Sequence, residues 1–142
     1  MTNNGTGNGT GKISLLIVDD DVELCRELAD MLKDEGYSVD VKNDPVMGLS
    51  AAQEPKYGAV MLDLKMPALS GYDILESLRE KGVKTPVIII TGNPLEGVGP
   101  DKTGADARQR RLMEMANAVM NKPFDVPALL AVLKKLARPP TL

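Results

Sequence analysis

Histidine is absent from this chain of 142 residues, and cysteine occurs once, as Cys25. The lack of histidine excludes Ser-His-Asp and Cys-His catalysis, and a single cysteine without histidine excludes the usual Cys/His zinc sites. A lone cysteine also cannot form a disulfide within the chain. A metal ion bound by this protein would therefore need oxygen ligands.

Long apolar runs and a basic surface are lacking too. No apolar run approaches the roughly 18 residues of a membrane span, and the first residues have neither the cationic start nor the apolar stretch of a signal peptide. The 17 Lys and Arg residues are interspersed with 20 Asp and Glu residues, without the basic stripe typical of nucleic-acid-binding proteins. We therefore expect a cytoplasmic protein that has neither a membrane nor a nucleic acid as a partner.

The length of the chain permits one well-buried hydrophobic core, so we expect one globular domain. Residues 1–11 are rich in Asn, Gly and Thr and predict a flexible tail. The domain is predicted to span residues 12–137, and residues 138–142, which include two prolines, are expected to be a C-terminal tail.

Five short segments have the composition of β-strands, and helical patterns alternate with them. The predicted strands are residues 13–18, 37–41, 60–62, 86–90 and 118–120. Helix signals include Asp44-Pro45, a capping box of Ser70 and Asp73, and helical spacing at residues 105–116. Since right-handed crossovers place a helix after every parallel strand, we expect a doubly wound α/β domain with a five-stranded parallel sheet.

Polar side chains stand at the carboxyl ends of four predicted strands. They are Asp19, Asp20, Asp21, Asp63, Thr91 and Lys122. Because ligands bind beyond the carboxyl ends of such strands, we expect these side chains to meet. Crowded carboxylates repel one another and need a cation, for which Mg²⁺ is suited by its preference for oxygen ligands. Together with a lysine this arrangement suits phosphoryl transfer, in which a carboxylate can be the nucleophile.

Each of these residues has a simpler interpretation when it is taken alone. Asp21 could cap the first helix, and Asp63 could be an ordinary turn residue. Thr91 could belong to a loop, which the Gly-Asn-Pro sequence directly after it predicts. Their common position at one edge of the predicted sheet favours the functional interpretation.

Five motifs, in order, resemble the receiver domain of bacterial two-component response regulators. They are LLIVDDD at 15–21, VMLDLKMP at 60–67, SGYDIL at 70–75, VIIITG at 87–92 and NKPF at 121–124. Any one motif would be a weak indication, whereas five in order are a strong one. The resemblance covers about residues 12–137 and implies the flavodoxin-like fold of the chemotaxis regulators.

The resemblance implies a phospho-acceptor switch rather than an enzyme. Asp63 would accept a phosphoryl group from a histidine kinase or a phosphotransfer protein, and the donor must act in trans because this chain has no histidine. Phosphorylation would then switch a protein–protein surface that contacts an unidentified output partner.

The resemblance also implies how the site is assembled. Asp19, Asp20, the phospho-acceptor and the backbone carbonyl of Lys65 would hold Mg²⁺, while Thr91 and Lys122 would bind phosphoryl oxygens. The Lys122 peptide bond to the following proline is expected to be cis.

Two departures from the family pattern affect the expected signalling route. Val119 stands where the family commonly has an aromatic residue, so an aromatic toggle is not expected. The stretch between Thr91 and Lys122 is longer than the family usually has. The loop after the fourth strand, or the start of the helix that follows it, is therefore expected to be remodelled.

Two alternatives stay open at this point. A pseudo-receiver would use the same fold only as a docking module, without phosphorylation. A haloacid dehalogenase-like phosphotransferase would also form an aspartyl phosphate with Mg²⁺, but its second acid would stand two positions after the nucleophile, where this chain has Lys65.

Overall fold

Strands and helices alternate along the parts of the chain that the computed structural model describes, which are residues 12–92, 110–111 and 114–139. The elements are β1 (Ser14–Val18), α1 (Val22–Asp34), β2 (Ser38–Lys42), α2 (Pro45–Ala52), β3 (Ala59–Asp63), α3 (Gly71–Glu80), β4 (Val87–Thr91), β5 (Ala118–Asn121) and α4 (Val126–Leu136). The predicted tail at 1–11 lies outside the described residues. Most of the helix predicted at 105–116, and of the long stretch after Thr91, also lies outside them.

The five strands form one parallel sheet in the order β2-β1-β3-β4-β5. The chain runs outward from β1 to β2 and then returns past β1 to continue with β3. This order confirms the predicted doubly wound α/β fold. The switch in strand order lies between β1 and β3, so the crevice beyond their carboxyl ends is where such a sheet binds ligands.

The central strands are buried on both faces, as their apolar composition indicated. Every residue of β3 and β4 is buried, and so is every residue of β1 after the first. Successive side chains of a strand point to opposite faces. Leu62 therefore packs in a cluster with α2 and α3, whereas Met61 packs in a second cluster with α1 and α4. The sheet is thus held rigidly between two apolar layers.

Polar caps begin the helices close behind the strands. The side chain of Asp21 accepts a hydrogen bond from Leu24 N at 3.0 Å, and Ser70 with Asp73 forms the predicted capping box of α3. Gly36, with φ +99°, follows the end of α1 in the left-handed conformation that favours glycine. Asp21 thus begins α1 at the carboxyl edge, shortly after β1, and Gly36 ends it at the amino edge, shortly before β2.

Four strands end one residue later than the sequence predicted, and two of them, β3 and β4, carry residues of the candidate site. Asp63 and Thr91 were expected just after the third and fourth strands, yet they are the last residues of β3 and β4. Asp63 is in register with Ile90, and Thr91 with Asn121. Pairing with a neighbouring strand continues past the apolar run, because ladder hydrogen bonds depend on the backbone and not on the side chain.

The amino edge of the sheet, where the strands begin, is tied together by Arg79 and Asn117. The Arg79 guanidinium donates hydrogen bonds of 2.8 to 3.3 Å to the carbonyl oxygens of Val83, Thr85 and Met115 and to Asn117 Oδ1. Asn117 Oδ1 also accepts from Val87 N at 2.9 Å. The network joins the end of α3 to the segments that begin β4 and β5.

The predicted domain boundaries at residues 12 and 137 stay a prediction. Arg138 N donates a hydrogen bond to Gly58 O at 3.2 Å, which anchors the chain just after α4. Among the described residues, no helix is both long enough and apolar enough to cross a membrane.

Candidate functional site

Three carboxylates meet at the carboxyl edge of the sheet. Asp19 and Asp20 follow β1, Asp63 ends β3, and one carboxylate oxygen from each lies within 4.8 Å of the others. Asp19 and Asp63 are buried, whereas Asp20 is exposed. The parallel topology thus brings together acids that are far apart in the sequence.

Lys122 reaches this acidic cluster from the end of β5. Its Nζ lies 2.9 Å from Asp19 Oδ2 and 3.7 Å from Asp63 Oδ1. Lys122 N also donates to Thr91 O at 2.8 Å, and the Lys122-Pro123 peptide bond is cis, as the resemblance implied. Three carboxylates and one nearby ammonium, which pairs with two of them, leave the cluster with an excess of negative charge.

This excess changes the proton affinity of the buried groups. The pKa of Asp63 is raised from its ordinary 3.8 to about 6, by burial first and by the Asp19 carboxylate second, against the opposing effects of Lys122 and the Lys65 backbone N–H. Burial alone would lower the pKa of Lys122, but the hydrogen bond to Asp19 and the attraction of the nearby carboxylates raise it instead. A second cation beside Asp63 would relieve the repulsion between the two buried carboxylates.

Asp21 has a different part from the two acids before it. Its side chain caps α1 through Leu24 N, and its backbone N–H donates to Asp19 Oδ1 at 3.0 Å. The simpler interpretation of Asp21 as a helix cap is therefore correct. Its backbone nonetheless helps to orient the Asp19 carboxylate.

Thr91, Lys65 and Gly92 lie at or just beyond the carboxyl ends of β3 and β4. Thr91 is buried at the end of β4, beside β3, while Lys65 is exposed two residues beyond Asp63. A Cβ added to Gly92 would meet no atom of the described residues within 4 Å. The roles of these residues in binding a phosphoryl group remain predictions.

Gly71 was not singled out from the sequence, although it lies directly behind the phospho-acceptor candidate. A Cβ there would stand 2.3 Å from Asp63 O and 2.9 Å from Leu64 Cα, and Gly71 N donates to Leu64 O at 3.0 Å. The first turn of α3 therefore packs against the backbone that carries Asp63. A glycine at the first helical position after the capping Ser70 is the signal that could have revealed this contact.

The residues of the cluster fit a hard divalent cation. Mg²⁺ typically binds one or two carboxylates and keeps several waters, and this cluster combines two buried carboxylates with one that is exposed. A thiolate ligand is disfavoured, because burial raises the pKa of Cys25 to about 12. The chemistry of the donor set thus agrees with Mg²⁺.

Comparison with known sequences connects this geometry to a family. A family model described as the response regulator receiver domain matches residues 15–134. The chain is 39% identical over 125 residues to the uncharacterized transcriptional regulatory protein YkoG of Bacillus subtilis and 32% identical over 148 residues to the transcriptional regulatory protein TcrA of Mycobacterium tuberculosis. These alignments cover 87% and 97% of this chain but 50% and 54% of the relatives. The chain therefore spans about half the length of the curated relatives it matches.

Solved structures give the same fold. The receiver domain of the sensor histidine kinase PA1611 from Pseudomonas aeruginosa, solved with a magnesium ion coordinated in its active site cleft, has a TM-score of 0.72 at 26% identity over 88% of this chain and 97% of that one. A CheY-like receiver domain protein from Methanospirillum hungatei has a TM-score of 0.72 at 23% identity over 87% of this chain and 92% of that one, which shows the fold alone.

Proposed function

This chain belongs to the response regulator receiver domain family of two-component systems, and from that premise we propose that it is a phospho-acceptor switch acting through Asp63. The single observation that carries the proposal is the position of the Asp63 carboxylate. It is buried at the end of a central strand, within 4.8 Å of two further carboxylates and 3.7 Å from Lys122 Nζ. Such a site is suited to bind a cation and a transferred phosphoryl group together.

The proposed reaction is an in-line displacement on a phosphohistidine. A carboxylate oxygen of Asp63 attacks the phosphorus, an O–P bond forms, and the P–N bond breaks as the imidazole leaves and takes up a proton. Since the pKa of Asp63 is about 6, most of this carboxylate is ionised at neutral pH. Lys122 compensates the negative charge that builds up on the phosphoryl oxygens, and the Thr91 hydroxyl donates a hydrogen bond to one of these oxygens.

Mg²⁺, when bound by Asp19, Asp20, Asp63 and the backbone carbonyl of Lys65, would supply the second positive charge that phosphoryl transfer needs. The likeness to the PA1611 receiver domain, which carries magnesium in its cleft, supports this choice. The donor is a histidine kinase or a phosphotransfer protein, because the chain holds no histidine of its own.

The new phosphoryl group shifts a pre-existing equilibrium between two forms and so changes a surface for an output protein. YkoG and TcrA are named as transcriptional regulatory proteins, and this chain matches about half of their length. That it contacts no nucleic acid and no membrane itself, and that it is cytoplasmic, stay predictions.

Phosphorylation at Asp63 can be tested with acetyl phosphate and Mg²⁺. We expect one phosphoryl group by intact-protein mass spectrometry, absent without Mg²⁺ and absent in Asp63→Asn. Asp21→Asn is the matched control, because this acid caps α1 and lies beside the same site; it should still be labelled.

The outcome also separates the alternatives. If the wild type is not labelled, the switch is wrong and the docking module remains. If Asp63→Asn is labelled like the wild type, Asp63 is not the phospho-acceptor. Steady turnover of phosphate monoesters would instead favour the haloacid dehalogenase-like reaction, which the position of Lys65 argues against.

A further inference from the structure

Asn43 is a residue of the β2–α2 turn whose side chain reaches the acidic cluster. Its Nδ2 donates a hydrogen bond to Asp19 O at 2.8 Å, across a separation of 24 residues in the sequence. The same carbonyl accepts a weaker contact from Cys25 Sγ at 3.4 Å, and Asp19 N donates to Lys42 O at 3.2 Å. The backbone of Asp19 is therefore held both at its N–H and at its carbonyl.

The orientation of the Asp19 carbonyl matters because its peptide group joins Asp19 to Asp20, two of the acids of the cluster. The carbonyl of Asp19 belongs to the peptide bond between Asp19 and Asp20, so its direction sets where both carboxylates leave the backbone. The register between β1 and β2 ends at Val18 and Lys42. Beyond that point the Asn43 side chain continues the cross-strand hydrogen bonding that backbone groups supply within the sheet.

The hydrogen bond from Asn43 to the Asp19 carbonyl opposes the electrostatic repulsion between the carboxylates of the site. Asp19, Asp20 and Asp63 carry like charges within 4.8 Å, and their repulsion favours any movement of the β1–α1 turn that separates them. A fixed carbonyl opposes such movement and keeps the three oxygens where one cation can bind them. Groups that orient metal ligands in this way typically contribute 10–100-fold to metal affinity.

We propose that Asn43 is a positioning residue for the Mg²⁺ site, acting through the Asp19 carbonyl. The inference rests on the proposed function, because it assumes that the cluster binds Mg²⁺. Asn43 is not among the residues proposed to bind the phosphoryl group, and replacing it leaves the nucleophile Asp63 in place. The expected effect of an Asn43 variant is therefore a weaker affinity for Mg²⁺, measured without any phosphodonor.

Asn117 provides a matched control within the same sheet. Its side chain also links neighbouring segments, through Arg79 and Val87 N, but at the amino edge. Replacing either asparagine with leucine removes an amide of similar size and the hydrogen bonds that tie two segments together. Both variants should lose stability in urea, whereas only Asn43→Leu should weaken Mg²⁺ binding.

The experiment is a calorimetric titration of MgCl₂ into the protein without any phosphodonor. We expect Asn43→Leu to raise the Kd for Mg²⁺ about tenfold and Asn117→Leu to leave it within twofold. Asn43→Ser, which keeps a shorter donor, should fall between wild type and Asn43→Leu, and it is the variant to use if the leucine variant does not fold.

Two results would overturn the inference. If the wild type binds Mg²⁺ and both Asn43 variants bind it equally well, the positioning role is wrong while the proposed function stands. If the wild type binds no Mg²⁺, the metal site itself is wrong, and the inference is overturned with it.

Discussion

At the amino edge of the sheet the Arg79 guanidinium donates to neutral oxygen acceptors, whereas at the carboxyl edge three carboxylates lie together and the ammonium of Lys122 pairs with two of them. Hydrogen bonds from a charged donor to fixed carbonyls stabilise a fold. Buried like charges destabilise it unless another cation binds. The same sheet thus has one edge whose polar groups favour stability and another whose polar groups favour chemistry.

The largest effect on this difference between the two edges is expected from a substitution that disturbs the backbone behind the acidic cluster. Gly71→Ala would place a Cβ 2.3 Å from Asp63 O, so we expect the free energy of unfolding to fall by roughly 3 kcal/mol, at the upper end of overpacking effects. Urea denaturation measures this loss.

Gly92→Ala is the control for Gly71→Ala, because a Cβ there meets none of the described residues within 4 Å. We expect its stability to stay within about 0.5 kcal/mol of wild type. Equal losses in the two variants would show that glycine is needed for a reason other than the contact with Asp63.

The free energy of unfolding should rise when Asp63, at the carboxyl edge, loses its charge. Its folded pKa of about 6 lies above its ordinary 3.8, so the folded state binds the proton more tightly than the unfolded state does. The resulting stability is fully present below about pH 4 and is lost as the pH rises through 6, by up to about 3 kcal/mol without metal.

Asp63→Asn isolates this contribution from the other acids of the chain. We expect the variant to be more stable than wild type at pH 7.5 in EDTA, and the difference to vanish near pH 4. Added Mg²⁺ should reduce the difference at pH 7.5, because it binds the ionised site. A difference that is constant from pH 4 to 7.5 would contradict the raised pKa.

The amino edge gives the smallest of the three effects. Arg79→Met keeps much of the aliphatic length but removes the donors to three carbonyl oxygens and Asn117 Oδ1. We expect a loss of about 2 kcal/mol in the free energy of unfolding. The Kd for Mg²⁺ and the extent of labelling by acetyl phosphate should not change, and a weaker Mg²⁺ affinity would mean that the two edges are coupled.

Much of the fold could be predicted from the sequence because the signals are local. Apolar β-branched runs indicated the buried strands, and Asp44-Pro45 and Ser70 with Asp73 indicated where helices begin; the structure has α2 and α3 beginning at those positions. The ends of β3 and β4 were placed one residue short. A strand's end depends on its neighbours in the sheet, which local composition does not report.

The convergence of Asp19, Asp20, Asp63 and Lys122 could also be expected, because parallel strands bring their carboxyl ends to one edge. The role of Asp21 as a helix cap was also one of the interpretations that the sequence offered, because an acid directly before an apolar helical pattern is a common cap. Gly71 and Asn43 were missed, since each acts on a backbone carbonyl that only the folded chain brings near.

The sequence by itself thus determined the alternation of strands and helices, the parallel sheet and the kind of chemistry at its edge, because side-chain pattern and local capping encode them. Only the tertiary structure decided which carboxylates share one site, how the pKa of Asp63 is raised, and which residues hold the backbone beneath them. Those properties depend on distances of a few ångströms between segments that are remote in the chain, where burial and charge interact directly.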